Sequence, residues 1–192
     1  DFRILDSGID IDDYDFCAEP ELQLAWVARI SPEKGLEDAA AVSEQTGLEI
    51  NILGKMQDED YWEEVQRDYP EAKLNYLGFH PTERLQSILG KCQALLMTPK
   101  WVEAFGNVAI EALACGVPVI SYARGGPVEI VRHGETGFLV EPDSVDGLCE
   151  AVASLPRISR NACRRQANTQ YSLQALGDRF EQWFIDILGT VA

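Results

Sequence analysis

Leu22-Gln23-Leu24-Ala25-Trp26-Val27-Ala28-Arg29-Ile30 is an apolar run that stops at Ser31-Pro32, a turn and helix-start signal. Helical character follows from Gly35 to Thr46, and Gly47 sits where a C-cap glycine belongs. A second run, Leu48–Leu53, then ends at Gly54. Strand, helix of about ten residues and strand again make one crossover unit, and the unit recurs. Asp58–Tyr69 is predicted helical, with Asp58 as N-cap and Pro70 beyond its end. Leu74–Leu77 is a strand ending at Gly78, and Glu83–Lys91 a helix capped by Thr82. Ala94–Met97 is a strand ending at Pro99. The stretch Glu103–Cys115 carries a helix closed by Gly116, with Glu103 in its leading loop. Val117–Tyr122 and Phe138–Val140 are the last strands, with helices over Pro127–Arg132 and Ser144–Leu155.

The strands read as continuous apolar runs, as burial on both faces requires. The expected fold is therefore α/β: a Rossmann-like three-layer α/β/α domain over residues 22–170, with a mostly parallel sheet of about six strands. Residues 1–21 read as an acidic linker, with a turn at Ser7-Gly8-Ile9-Asp10 and solvated Asp10, Asp12, Asp13 and Asp15. Residues 171–192 read as a C-terminal amphipathic helix. Leu173, Leu176, Phe180, Trp183, Phe184, Ile187 and Leu188 fall near helical spacing, and that face packs on this domain or reaches toward another.

The 192 residues carry a net charge of −16, and 46% are hydrophobic. That composition is globular rather than disordered. No apolar run approaches the ~20 residues of a membrane span, since Val108–Ile120 is broken by Glu111, Gly116 and Pro118. An acidic surface makes nucleic acid and anionic lipid poor partners. Cys17, Cys92, Cys115, Cys149 and Cys163 are odd in number, scattered and without a Cys-x2-Cys pair, which points to a reducing, cytoplasmic setting. His80 and His133 stand alone, so no metal site is expected.

In open α/β sheets ligands bind beyond the carboxyl ends of the strands. The glycines, cations and carboxylates of this chain collect there: Arg29 and Lys34 after the first strand, Gly54 and Lys55 after the second, Gly78, Phe79 and His80 after the third, Trp101 and Glu103–Asn107 after the fourth, Arg124 to Glu129 after the fifth. Arg29 and Lys34 bracket a helix N-terminus and suit a diphosphate; they equally suit ion pairs with Glu33 and Glu37. Glu111 lies among apolar neighbours, where an unpartnered carboxylate costs several kcal/mol. A ribose diol would satisfy it, as would a core arginine or a backbone amide. Glu103 sits in the loop Val102-Glu103-Ala104-Phe105-Gly106-Asn107, where Gly106 lets the backbone come close to a ligand and the carboxylate could accept from sugar hydroxyls, or else Glu103 only complements the helix dipole. Gly125-Gly126 is a second glycine loop, or a tight turn. Motifs for a P-loop, a dinucleotide site and a nucleophile elbow are missing.

Trp26-Val27-Ala28-Arg29-Ile30-Ser31-Pro32-Glu33-Lys34-Gly35, the pair Glu103 and Glu111 with seven residues between, and the trailing Ala114-Cys115-Gly116-Val117-Pro118-Val119 resemble the C-terminal domain of family 4 retaining glycosyltransferases. Glu135-Thr136-Gly137-Phe138-Leu139-Val140 and Ser7-Gly8-Ile9-Asp10 are similar to the same family. The resemblance implies one half of a two-domain GT-B fold that binds a nucleotide-diphosphate sugar, most commonly a UDP-sugar, and transfers the sugar to an acceptor hydroxyl with retention. It implies that Arg29 and Lys34 hold the diphosphate and act with Glu103 in catalysis. Glu111 would take the ribose, Glu103 and the backbone of Ala104 to Val108 the donor sugar, and Gly54 and Phe79 would flank the base. It implies no cofactor and no metal. The N-terminal half with the acceptor site is missing from the sequence, so this chain alone is expected to be inactive. Two other functions stay open: a nucleotide-sugar binding module without turnover, and a sugar-nucleotide epimerase, against which the glutamate pair argues.

Overall fold

A computed structural model describes residues 7–190. Its six strands are β1 (Gln23–Val27), β2 (Glu49–Leu53), β3 (Leu74–Gly78), β4 (Ala94–Met97), β5 (Val119–Tyr122) and β6 (Gly137–Val140). They form one all-parallel sheet in the order β3-β2-β1-β4-β5-β6. The helices are α1 (Leu36–Thr46), α2 (Glu59–Asp68), α3 (Thr82–Leu89), α4 (Asn107–Ala114), α5 (Pro127–Ile130), α6 (Val145–Ser154), α7 (Arg160–Gln166) and α8 (Leu173–Thr190).

Alternation along the strands makes the three layers. Leu24 and Trp26 of β1, with Ala94 and Leu96 of β4, point to a core shared with α1, α2 and α6. Ala25, Leu95 and Met97 point to the other core, which α4 and α7 cover. Trp26, 1% exposed, gains about 2–3 kcal/mol from that burial. Among the described residues no helix is long and apolar enough to cross a membrane.

Several boundaries differ from expectation. The first strand runs from Gln23 to Val27 rather than from Leu22 to Ile30; Leu22 is 81% exposed, and Ile30 makes an isolated bridge to Met56. Arg29 is thereby freed into a loop. Thr82 is the first residue of α3, not its cap; the N-cap is Pro81. Val117 precedes β5 rather than opening it, and the helix at Pro127 ends at Ile130. Asp58 and Ser144 do cap their helices, accepting from Tyr61 N and Gly147 N at 2.9 and 3.1 Å.

The expected linker and tail extend past the described residues at both ends. Within the described part, Asp10, Asp12, Asp13 and Asp15 are exposed, but Tyr14 is buried in the second core. Ile9 bridges Ser172, tying the segment to the start of α8. Along α8, Leu173, Phe184, Ile187 and Leu188 remain exposed. Cys92, Cys115 and Cys163 are buried core residues, and all five cysteines are free thiols.

Candidate functional site

The chain leaves β1 toward β2 on one side and returns through β4 on the other. The loops after β1 and β4 therefore diverge and leave a crevice between them. A cavity of about 450 Å³ occupies it. Arg29 and Lys34 line this cavity with Glu103, Ala104, Phe105, Gly106, Asn107 and Val108. Eight of the residues singled out from the sequence thus face one space, although 69 positions separate Lys34 from Glu103.

Gly54 and Phe79 line a second cavity of about 230 Å³, whose wall also includes Val27, Ala28 and Arg29. Arg29 stands between the two spaces. Glu111 lines neither. It lies one turn beyond Asn107 on α4, facing the buried Tyr14. Burial raises its carboxyl above the ordinary range, and a hydrogen bond from Tyr14 partly offsets that.

The loop that carries Glu103 is held from below by glycines. Gly106 adopts φ 88°, and from that left-handed conformation it caps α4; the helix therefore starts at Asn107 and leaves Glu103 in the loop. Glu103 instead forms a bridge with Gly125, and Gly126 N donates to Glu103 O at 2.7 Å. A Cβ on Gly125, at φ 77°, would come 2.1 Å from Glu103 O, and one on Gly126 would come 2.3 Å from Phe105 O. The second glycine loop is thus neither an isolated turn nor a wall of the cavity. It is the surface on which the Glu103 segment lies.

Both cations hold carboxylates. Arg29 donates to Glu33 Oε1 through Nη2 at 2.6 Å and Nε at 3.0 Å, which lowers the Glu33 pKa. Lys34 Nζ lies 2.5 Å from Glu103 Oε2 rather than on Glu37. Trp101 Nε1 donates to the same Glu103 oxygen at 3.2 Å. Among the described residues Glu103 Oε1 has no donor, so one oxygen of this carboxylate is held and the other is open.

A second charged cluster braces the loop after β4. Asp38, 7% exposed, accepts from the Tyr122 hydroxyl and from Lys100 Nζ, each at 2.5 Å. Lys100 also reaches Asp143 at 3.2 Å. Asp143 takes Arg124 Nη2 at 2.7 Å, and Arg124 Nη1 donates to Pro99 O at 2.9 Å. The Arg124 hydrogen bond keeps the Asp143 carboxyl below its usual range. Sequence reasoning passed over Asp38, although an acid before Ala39-Ala40-Ala41 carries the same signal as Glu111. It also missed Thr98, whose hydroxyl accepts from Trp26 Nε1 at 3.0 Å and donates to Gly35 O at 2.6 Å. That pair fastens the Lys34 turn to β4.

In chemical terms, two cations and the N-terminus of α4 converge on a cavity that also presents one open carboxylate oxygen. Such a set suits a polyanion bearing hydroxyl groups.

The model of the family Glycosyl transferases group 1 matches residues 16–171. Glycogen synthase of Mycobacterium tuberculosis is 29% identical over 165 residues, covering 81% of this chain and 40% of the synthase. AviGT4, a glycosyltransferase involved in avilamycin A biosynthesis, matches with a TM-score of 0.84 at 24% identity, over 97% of this chain and 58% of its own. Anabaena HepE, solved in complex with UDP, matches with a TM-score of 0.84 at 20% identity, over 96% and 57%. The likeness to the solved structures is one of fold, that of GT-B glycosyltransferases. The chain spans well under two thirds of each of these proteins.

Proposed function

The chain belongs to the group 1 glycosyl transferases, and from that premise we propose that it is the donor-binding half of a retaining glycosyltransferase that uses a nucleotide-diphosphate sugar. The observation that carries this reading is the shared cavity at the β1/β4 crevice, where Arg29, Lys34, Glu103 and the start of α4 meet. The diphosphate lies against Arg29, Lys34 and the α4 amides, which take up the negative charge that grows on the leaving group. Lys34 exchanges Glu103 for phosphate oxygen. Glu103 accepts hydrogen bonds from the donor sugar, through the oxygen that already lacks a donor. The base occupies the apolar space between Gly54 and Phe79. Uridine is the preferred base, because UDP is the nucleotide held by HepE. The acceptor hydroxyl comes from a site supplied by a further domain, and the chain does not turn over donor by itself.

Thermal-shift titration with UDP-glucose, ADP-glucose and GDP-mannose tests the reading. A ligand at a hundred times its Kd stabilises the native state by about 2.7 kcal/mol, a rise in Tm of roughly 5–10 °C for a chain of this length. No shift with any of the three would refute it.

A further inference from the structure

Trp101 does not line the cavity, yet it touches both halves of the ion pair that does. Its indole N–H donates to Glu103 Oε2 at 3.2 Å, and its ring lies beneath Lys34, with Nζ 4.7 Å from the ring centroid. The side chains of Lys34 and Glu103 are only 16% and 14% exposed. A charge that loses its partner in such a place is penalised. An arriving diphosphate competes with Glu103 for Lys34 and creates that situation for the carboxylate. The Trp101 N–H then becomes the one protein donor left to Glu103 among the described residues. Because it binds Oε2, it keeps Oε1 turned to the open side. The ring meanwhile attracts the Lys34 ammonium through its π face, which leaves Lys34 other protons to give to phosphate.

The residue before Trp101 is anchored: Lys100 N donates to Glu33 O at 2.9 Å, and Lys100 Nζ is held by Asp38 and Asp143.

We propose that Trp101 is a positioning residue for the donor sugar: it holds the Glu103 carboxylate in place while Lys34 moves to the diphosphate. This rests on the donor-site reading given above.

Trp101→Phe separates the two contacts, since it keeps a ring under Lys34 and removes the N–H. Trp101 is 41% exposed, so the variant is expected to fold. Calorimetric titration of this chain with UDP-glucose against UDP, and likewise ADP-glucose against ADP and GDP-mannose against GDP, gives the readout. For the pair that binds, Trp101→Phe should lower affinity for the nucleotide sugar roughly tenfold to a hundredfold, the worth of one hydrogen bond to a charged group. Affinity for the matching diphosphate should stay within about twofold. In a Glu103→Ala background the same change should cost nothing further, because the effect runs through Glu103. Equal losses on sugar nucleotide and diphosphate, no loss on either, or additive losses in the double variant would overturn the proposal and leave the donor site standing. Failure of wild type to bind any of the three pairs would remove the donor site, and the role of Trp101 with it.

Discussion

At the amino edge of the sheet, Arg160 gives Nε, Nη1 and Nη2 to the carbonyls of Cys17, Cys92 and Gly90 at 2.6, 2.9 and 2.6 Å. Arg164 likewise donates to the carbonyls of Tyr14 and Ala114 at 2.6 and 2.5 Å. At the carboxyl edge, Arg29 and Lys34 hold carboxylates beside a cavity. A main-chain carbonyl at a helix end or strand entry lacks a partner within its own element, so an arginine that satisfies it is a brace. A carboxylate at a cavity rim is a partner that an incoming anion can replace. The same residue types therefore build structure on one edge and a site on the other. What separates them is the partner, not the exposure of the cation.

If that contrast holds, loss of a brace costs far more stability than loss of a site cation. Arg160→Met strands three carbonyls and should lower stability by about 3 kcal/mol or more. Thermal denaturation should show a fall in Tm of roughly 6–12 °C. A fall under about 2 °C would show that these carbonyls find water instead and that the contrast is one of appearance.

Gly125→Ala comes next, because it strains the bed under Glu103 without touching a cation. The new Cβ meets Glu103 O in a left-handed backbone, at a cost of about 2 kcal/mol. Binding of nucleotide sugar should weaken more than binding of nucleoside diphosphate. Equal weakening of both would mean that the loop moves as a whole rather than at Glu103.

Arg29→Ala with Lys34→Ala completes the contrast from the other edge. The exposed Arg29–Glu33 pair contributes at most about 1 kcal/mol, and loss of Lys34 leaves Glu103 the Trp101 N–H and its open side, so the fall in Tm should stay below that of Arg160→Met. Affinity for UDP should drop roughly 30-fold, while affinity for uridine stays unchanged. Equal losses on the two ligands would contradict the placement of the diphosphate.

The carboxyl-edge cluster was legible in the sequence because α/β alternation assigns every strand exit to one edge, and the unusual residues fall at the exits. The braces were not. α7 buries Ala162, Cys163 and Gln166, which are small or polar, so its sequence shows no apolar stripe to read. The expected first strand is too long for the opposite reason: Ala28 and Ile30 continue the apolar run past Val27, where the continuous ladder ends and only an isolated bridge from Ile30 to Met56 follows. Tyr14 and Asp38 act through partners distant in sequence, as Trp101 does toward Lys34, and no local spacing encodes such a pair.

Glu111 is where the two edges meet, since its partner Tyr14 is the residue whose carbonyl Arg164 holds. Burial favours the protonated acid and raises its pKa in the folded state. Its ionisation then works against folding: the cost is present above the raised pKa and vanishes as pH falls below the unfolded value. Glu111→Gln should therefore match or exceed wild type in Tm at pH 7, and the gain should close as pH falls through the carboxylate range. Tyr14→Phe should act in the opposite sense at pH 7, costing about 1 kcal/mol, because it removes the donor that eases the ionised form. The function follows from the same pair. If Glu111 reads a ribose from beyond the cavity wall, Glu111→Gln weakens uridine and UDP alike, by a factor that the Arg29 and Lys34 variants do not change. If uridine affinity is untouched while the pH dependence of Tm is lost, then Glu111 belongs with the braces, and the pentose is held elsewhere in the crevice.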